Sequence, residues 1–434
     1  MSSLEEYQSL INYHLDQISS GIQSTKIIKQ TVANNDQQLN LAGGAITENE
    51  AQQIAEAVPN DILRSNILPV IRIPLTDNVI HKAVARYLSN DPKLKNSVLQ
   101  RFGEIENWDV SQVTNMEELF KGHNHTEGFN QPLNNWDVSN VENMMGMFYD
   151  ATSFNQPLNK WNVSNVVNMM GMFYGATSFN QPLDNWNVSR VRDMEAMFDV
   201  ARSFNQALNN WNVSKVTNMS YMFHKASLFN QPLDKWNVSK VTTMEGMFQR
   251  AESFNQPLNT WNVSNDVTSM SSMFYGASSF NQPLDEWNVS NVKDMSYMFS
   301  RATSFNQPLF QNVSNVKNMI NMFNGASSFN QPLNNWNVSK VTDMRWMFAD
   351  AEAFNQPLNK WNVSNVRTMW SMFRNASSFN QPLNNWNVSK VTNMSAMFCF
   401  ARSFNQPLDN WNVSNVTDMN NMFNDVTFFN HPLK

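Results

Sequence analysis

From residue 108 onward, apolar side chains return to the same places in a 25-residue frame that is written about a dozen times. The copy at 129–154 shows the frame. Leu133, Trp136 and Val138 come first, and the alternation of Trp136 and Val138 sends both to one face of a short strand. Val141, Met144, Met147, Phe148 and Ala151 follow at steps of three and four, the spacing of a short helix with one apolar stripe. Phe154 closes the unit, Asn155 follows it, and Pro157 sets a rigid corner. The tryptophan recurs at 108, 136, 161, 186, 211, 236, 261, 287, 336, 361, 386 and 411. Self-similarity at a fixed period of this length predicts a solenoid, in which each unit buries its apolar side on its neighbours. The expected fold is an α/β repeat of short parallel strands and short helices, stacked about 4.8 Å apart into a rod. Its polar sheet face would carry Asn134, Asn135, Asp137, Ser139 and Asn140.

The frame also assigns structural roles. Trp136, Met144, Met147 and Phe154 fall on the inward positions, so methionine reads as core filler rather than as a soft metal surface. The asparagine after each phenylalanine, Asn155 and its equivalents, reads as a buried amide ladder that satisfies the backbone of the corner. Thr114 with Glu117, and Thr242 with Glu245, have capping-box spacing. Gly122, Gly175, Gly276 and Gly325 sit where a unit's helix would end in a left-handed residue.

Ahead of the repeats the pattern changes. Leu4, Tyr7, Ile11 and Leu15 have helical spacing, Glu48 to Ala57 predicts a second helix, and the prolines of 67–74 predict an extended piece. Residues 78–101 read as helix again, interrupted near Asn90, Asp91 and Pro92. The predicted organisation is a mainly helical N-terminal arm at 1–76, a helical cap at 77–107 over the first exposed apolar face, and a solenoid of about thirteen repeats at 108–434.

Composition narrows the chemistry. The chain has 30 basic and 36 acidic residues, a net charge of −6, and 15% charged residues against a usual ~25%. Phosphate neutralisation along a nucleic acid is disfavoured, and the surface works through Asn, Gln and Ser. Cys399 is alone, so no intrachain disulfide forms. The opening MSSLEEYQSLINYHLDQ has no apolar core of a secretory signal, and no run reaches the ~18 apolar residues that cross a bilayer. The expectation is no membrane insertion and a cytoplasmic or virus-associated location in preference to secretion. His123 and His125 form a His-x-His pair with no further ligand beside it. Cys399 has no evident histidine partner, and no phosphate loop or zinc spacing is present. The residue before the first methionine of each unit (Asn115, Asn143, Asn168, Asp193, Asn218, Thr243) is too seldom acidic for a calcium column. Eleven Asn-Val-Ser triplets read as repeat sequence rather than as glycan acceptors. No catalytic residue, cofactor or metal is expected, and the chain reads as no enzyme.

The phrase NWDVSQVTNMEELF at 107–120 and later copies such as WNVSKVTNMSAMF resemble BspA-type leucine-rich-repeat surface proteins. More narrowly they resemble the W-D/N-V-S-x-V-T-D/N-M-x-x-M-F subfamily of unknown function, found in mycoplasmas, some Gram-positive bacteria, protists and large DNA viruses. The resemblance covers 78–434. It implies a right-handed leucine-rich-repeat-like solenoid, a role in surface interaction or adhesion, and no known catalytic residue.

Departures from the consensus mark the candidate sites. Arg190, Lys215 and Lys240 follow the Asn-Val-Ser serine in three successive units, a basic column suited to an acidic partner. Trp346 and Trp370 stand at non-core positions of adjacent units with Arg345, Arg367 and Arg374 nearby, the composition of an interface hot spot. Asp266 is an inserted residue, and at 309–313 one residue is missing and Gln311 takes the place of the core tryptophan, with Phe310 placed to refill the gap. A bend or soft spot is expected there. The last copy reaches Pro432, Leu433 and Lys434 without a polar cap, which predicts end-to-end dimerisation. The function expected is a non-catalytic recognition or adhesion module with a protein or glycan partner. A structural scaffold, or a virion-associated component acting through its shape, is the second reading.

Overall fold

The computed structural model describes residues 74–121 and 128–431. The predicted helices of the N-terminal arm, His123, His125, Gly122 and the final three residues lie outside the described residues.

The predicted helical stretch before the repeats is a pair of helices, α1 (Asp77–Tyr87) and α2 (Pro92–Phe102), with a 3-10 turn at Ile105–Asn107. Pro92 opens α2, where its missing N–H costs nothing, and the Asp91 carboxylate accepts from the Lys93 N–H at 2.8 Å. Gly103 ends α2 at φ 73°, a conformation that an L side chain resists. Ile80, Ala83, Val84 and Tyr87 are the buried stripe of α1. The Tyr87 ring meets Trp108 edge-on at 5.6 Å, and the Trp108 indole donates to the Gly103 carbonyl at 3.0 Å. Before α1, Leu75 donates its N–H to Asp109 at 2.7 Å, and Pro74 bridges Asp109 in parallel.

The described chain divides into two compact units. One holds the helices, residues to Asn115 and Gln131–Asn140; the other holds Met116–Asn130 and the residues from Val141 onward. In the first unit Trp108 stacks on Trp136 at 6.3 Å, and Trp136 donates to the Ile105 carbonyl at 2.7 Å. Thr114 and Asn115 are held by Asp77, whose carboxylate accepts from both backbone N–H groups and from Thr114 Oγ1.

In the second unit successive copies of the frame are successive coils. Single-residue parallel bridges join equivalent positions, Asn143 to Asn168 to Asp193 to Asn218 to Thr243, and again from Ser269 through Asp418. The inward side chains close a core to solvent: Met144, Met147, Phe148, Ala151 and Phe154 are each 0% exposed, as are their equivalents in the following coils through Phe404. Rings stack on their own copies. Phe148 lies 5.4 Å from Phe173 at 4°, Phe154 lies 5.9 Å from Phe179 at 8°, and Trp161 lies 6.3 Å from Trp186 at 4°. The core tryptophans from Trp186 to Trp411 also donate the indole N–H one coil back, Trp186 to the Leu158 carbonyl at 3.1 Å and Trp211 to Leu183 at 2.9 Å. That bond satisfies the one polar atom of an otherwise apolar column.

The elements within each coil differ from the expectation. Residues 141–151 form no helix, and 136–138 form no strand. The chain instead makes consecutive turns. Met147, Tyr149 and Ala151 donate to the carbonyls three residues back, while Met144, Gly146, Phe148 and Asp150 donate to Asn168, Met170, Met172 and Tyr174 of the next coil. A helix needs four-residue bonds in an unbroken right-handed run, and this segment turns left-handed twice per coil: Gly146 and Asp150 both have φ 56°. Steps of three and four also describe a run of turns that returns a side chain inward each time, and the periodicity of apolar residues alone does not separate the two. The same geometry displaces the capping-box reading. Thr242 Oγ1 donates to the Thr217 carbonyl one coil back at 3.0 Å rather than closing a box with Glu245. The polar residues expected on a sheet face lie in turns, where Asp137 Oδ1 accepts from the Ser139 N–H at 3.1 Å.

The asparagine ladder is present, half-buried rather than buried. Asn180 donates its backbone N–H to Asn155 Oδ1 at 3.0 Å, Asn205 to Asn180 at 3.0 Å, and Gln181 Nε2 reaches Asn155 Oδ1 at 3.0 Å. At the insertion, the chain of bridges is interrupted between Thr243 and Ser269. At the deletion, Phe310 is 0% exposed and stacks 5.8 Å from Trp336, whose indole donates to the Phe310 carbonyl. Gln311 is turned outward, so the aromatic column passes through Phe310.

Candidate interaction surface

Between the inward residues Met144 and Met147, and again between Phe148 and Ala151, the chain carries two residues outside the ring column, half-exposed at Tyr149, Tyr174 and Tyr275 and buried at Gly146, Asp199, Ala349 and Cys399. Positions 145, 146, 149 and 150 and their equivalents therefore make a band that crosses the coils of the second unit. The backbone ladder holds it in register, because Gly146 and Asp150 are themselves bonded to the next coil. The band collects every tyrosine of that unit and both non-core tryptophans. Tyr149 stacks on Tyr174 at 4.3 Å and 8°, with the Lys121 ammonium 4.5 Å from the Tyr149 ring. Arg250 lies 5.7 Å from the Tyr275 ring, and Tyr275 meets Tyr297 edge-on at 6.4 Å.

Trp346 and Trp370 occupy this band on adjacent coils. The Trp346 N–H donates to the Trp370 carbonyl at 3.0 Å, and the two indoles pack edge to face at 5.5 Å and 73°. Trp370 remains 38% exposed. Arg374 lies over Trp346 at 5.6 Å, a cation on an aromatic face. Arg345 is held by its neighbour: its Nε reaches both Asp343 oxygens, at 2.9 and 3.0 Å, and Nη2 lies 2.8 Å from Oδ2. Arg367 is exposed on the same coil as Trp370. Trp346 itself has φ 58°, a left-handed conformation that costs a bulky L residue about 1–2 kcal/mol. The equivalent residue is left-handed in the other described coils too, from Glu118 to Asn421, so the backbone belongs to the coil and only the indole is particular to this position.

The other predicted basic group stands apart. Arg190, Lys215 and Lys240 are exposed in the Asn-Val-Ser turn and not in the band. Arg190 donates to Asn165 Oδ1 one coil back at 2.7 Å, as Lys340 does to Asn315 at 2.6 Å and Lys390 to Asn365 at 2.8 Å. Arg190 thus bonds the asparagine below it, whereas the residues one coil below Lys215 and Lys240 are Arg190 and Lys215, so these two continue a basic column.

Sequence reasoning missed an acid–histidine pair in the same band. Asp199, 7% exposed, places Oδ1 2.8 Å from His224 Nδ1, and neither atom makes a hydrogen bond. Two tyrosines flank it. Burial, and after it the charge of Asp199, pushes the Tyr174 hydroxyl up to about 12. Burial, the hydrogen bond from Tyr221 to Glu245 at 3.0 Å and that carboxylate's charge push Tyr221 up to about 12 as well. The signal was available, since aligning the units at 25 residues puts Asp199, His224 and the tyrosines 149, 174 and 275 in one column. Cys399 is a buried free thiol in that column, with Asn424 Nδ2 3.9 Å from its sulfur.

The profile of one repeat family matches at residues 93–209, 181–267, 260–361, 310–398 and 357–434, overlapping without a break from 93 to the end. The chain belongs to the family described as Mycoplasma protein of unknown function, DUF285. No curated protein matches the chain. The matched DUF285 segments contain both the aromatic band and the Trp346–Trp370 pair. No helix among the described residues is long and apolar enough to cross a membrane.

Proposed function

We propose that this DUF285 protein is a non-catalytic recognition module whose contact surface is the aromatic band, centred on Trp346 and Trp370. The observation that carries the reading is the pair itself: two indoles packed edge to face, one open to solvent, with Arg374 over the other and Arg367 exposed on the coil of Trp370. Aromatic and arginine side chains concentrate binding energy because they bury much area and satisfy planar polar partners. A protein partner suits this chemistry better than a glycan, since it supplies carboxylates to the arginines as well as apolar surface to the indoles. The finer relationship, to BspA-type leucine-rich-repeat surface proteins with their right-handed wind and adhesive role, is part of this proposal, as is the reading of α1 and α2 as the cap of the array.

The test is a pull-down with the full chain and the Trp346→Ala/Trp370→Ala variant, each checked for an unchanged unfolding midpoint. The expected result is loss of the captured partner by the variant. Equal recovery by both chains removes the tryptophan pair as the contact centre. A scaffold role is the second reading, favoured by the unbroken core of stacked rings, which makes each coil depend on its neighbours.

A further inference from the structure

The turn that carries Arg190, Lys215 and Lys240 follows a pattern elsewhere that these coils break. Asparagine after the turn's serine caps a serine carbonyl one coil back: Asn140 donates to Ser111 at 2.8 Å, Asn315 to Ser290 at 2.7 Å, Asn365 to Ser339 at 2.9 Å and Asn415 to Ser389 at 2.7 Å. Lysine at this position, as at 340 and 390, stands on an asparagine that accepts its ammonium. Lys215 and Lys240 do neither. They stand on Arg190 and Lys215, and no hydrogen bond or ion pair holds their ammonium groups among the described residues. Each gives up the capping bond, and like charges set directly against each other on neighbouring segments are destabilising. The same three turns, 184–192, 209–217 and 234–242, also carry Arg192 and Lys235, against the carboxylates of Asp184 and Asp234. Asp234 is engaged by Asn209 Nδ2 at 2.8 Å. The inserted Asp266, exposed on the next coil, ends the column.

We propose that this column binds an extended acidic segment of another protein, running across the three coils with Asp or Glu at alternate residues. The surface is separate from the aromatic band and does not depend on it. Spacing is the first argument. Trp186 and Trp211 stack 6.5 Å apart at 1°, and Trp236 and Trp261 6.4 Å apart at 5°, so equivalent points beside this turn repeat at that interval. Alternate side chains of an extended strand share one face at about 6.7 Å. Carboxylates at residues i, i+2 and i+4 therefore meet Arg190, Lys215 and Lys240 one to one. Hydrogen-bonding sense is the second argument. Asn187, Asn212 and Asn237 are exposed in the same turns, and each Oδ1 already accepts a serine N–H, from Ser189 at 3.2 Å, Ser214 at 3.2 Å and Ser239 at 3.1 Å. Their Nδ2 groups are left for a ligand, so the surface offers donors and selects acceptors, which carboxylates are and the hydroxyls of a neutral sugar only half are. The exposed side chains of the three turns are Asp, Asn, Arg, Lys and Thr, so a single-stranded nucleic acid finds no ring to stack on. Beyond Lys240, Asp266 repels a further acid and limits the matched run to three.

The experiment is fluorescence anisotropy on the full chain at low salt, with two labelled peptides of one composition. One carries three glutamates alternating with serines, and the other carries the same glutamates in a run. Lys215→Asn/Lys240→Asn is the test variant, because asparagine is what the column carries in other coils and it restores the capping bonds. Lys340→Asn/Lys390→Asn removes the same charge elsewhere. The wild type is expected to bind the alternating peptide at least ~5-fold tighter than the run, and to weaken as salt screens the column. The test variant is expected to lose at least ~10-fold, and the Lys340/Lys390 variant less than ~2-fold. Arg190→Glu/Lys215→Glu/Lys240→Glu is expected to bind the lysine version of the alternating peptide, a gain that a misfolded chain does not give. No binding by the wild type, equal binding of the two glutamate peptides, equal loss in the two asparagine variants, or no gain on charge reversal each overturns the proposal. Displacement of the alternating peptide by polyphosphate or a sulfated glycan at a lower concentration of charge also overturns it and gives the column to that polymer.

Discussion

The left-handed positions set the terms for single residues. The position held by Gly175 has positive φ in every coil from Asp150 onward, and elsewhere it carries Asp150, Val200, Lys225, Arg250 or Phe400. Only glycine occupies it without strain. A Cβ on Gly175 would lie 3.3 Å from Asp150 Cα and closer still to its carboxylate. Gly175→Ala is therefore expected to cost about 1–2 kcal/mol in a urea titration. Val200, a β-branched residue at φ 59°, predicts the opposite sign: Val200→Gly is expected to raise the midpoint by up to about 1 kcal/mol. Asp77 makes a pH prediction. Burial opposes its charge, but the bonds from Thr114 Oγ1 and the Asn115 and Thr114 amides, with the nearby His81, outweigh burial and hold the carboxyl below its ordinary value. A carboxyl lowered on folding contributes stability above its unfolded value, near ~4, and loses it as pH falls through the folded value. Acid titration of stability is expected to show this slope below about pH 4, and Asp77→Asn to flatten it. The presence of special conformations near the glycines was legible in sequence. Their recurrence at non-glycine residues was not, because inter-coil hydrogen bonds override local propensity there.

At the scale of the element, the coil is a ladder of side-chain and backbone bonds rather than a strand and a helix. Asn230 shows what a rung does. Its Oδ1 accepts from the Asn255 N–H at 2.9 Å and from Gln256 Nε2 at 3.0 Å. Asn230→Ala leaves both donors unsatisfied in a half-buried corner, with an expected cost of about 2 kcal/mol. Asn230→Asp keeps the acceptor and is expected to cost clearly less, a comparison that chemical denaturation resolves. The role of Asn155 and its equivalents was legible from recurrence after phenylalanine. The helix was misread because Val141, Met144, Met147 and Phe148 satisfy helical spacing and turn spacing alike. The deciding fact, that Met144 and Phe148 donate to the next coil, is a contact across 24 residues.

For the whole molecule the relevant quantity is coupling between neighbours. Stacked arrays are stabilised by nearest-neighbour terms, so a defect in one interface marks where opening begins. The missing bridge between Thr243 and Ser269, beside the inserted Asp266, is that defect. Deleting Asp266 restores the 25-residue step and is expected to slow hydrogen exchange of the amides near Val267. The deletion near Gln311 is less damaging, because Phe310 keeps the ring column closed. The candidate surface belongs to this scale as well. Trp346, Trp370 and the arginines stood out as exceptions to the frame, but Arg190, Lys215 and Lys240 stood out equally and lie in a different turn.

The sequence by itself determined that one apolar frame repeats, that its Trp, Met and Phe positions share a core, and that its asparagines form a column. Each follows from periodicity, which a stacked array translates directly into neighbours in space. Only the tertiary structure decided the direction of the backbone bonds, the paired left-handed residues of each coil, and which exceptional side chains meet. Those depend on how one coil registers on the next, and that register is a property of hydrogen bonds between distant residues rather than of the pattern along the chain.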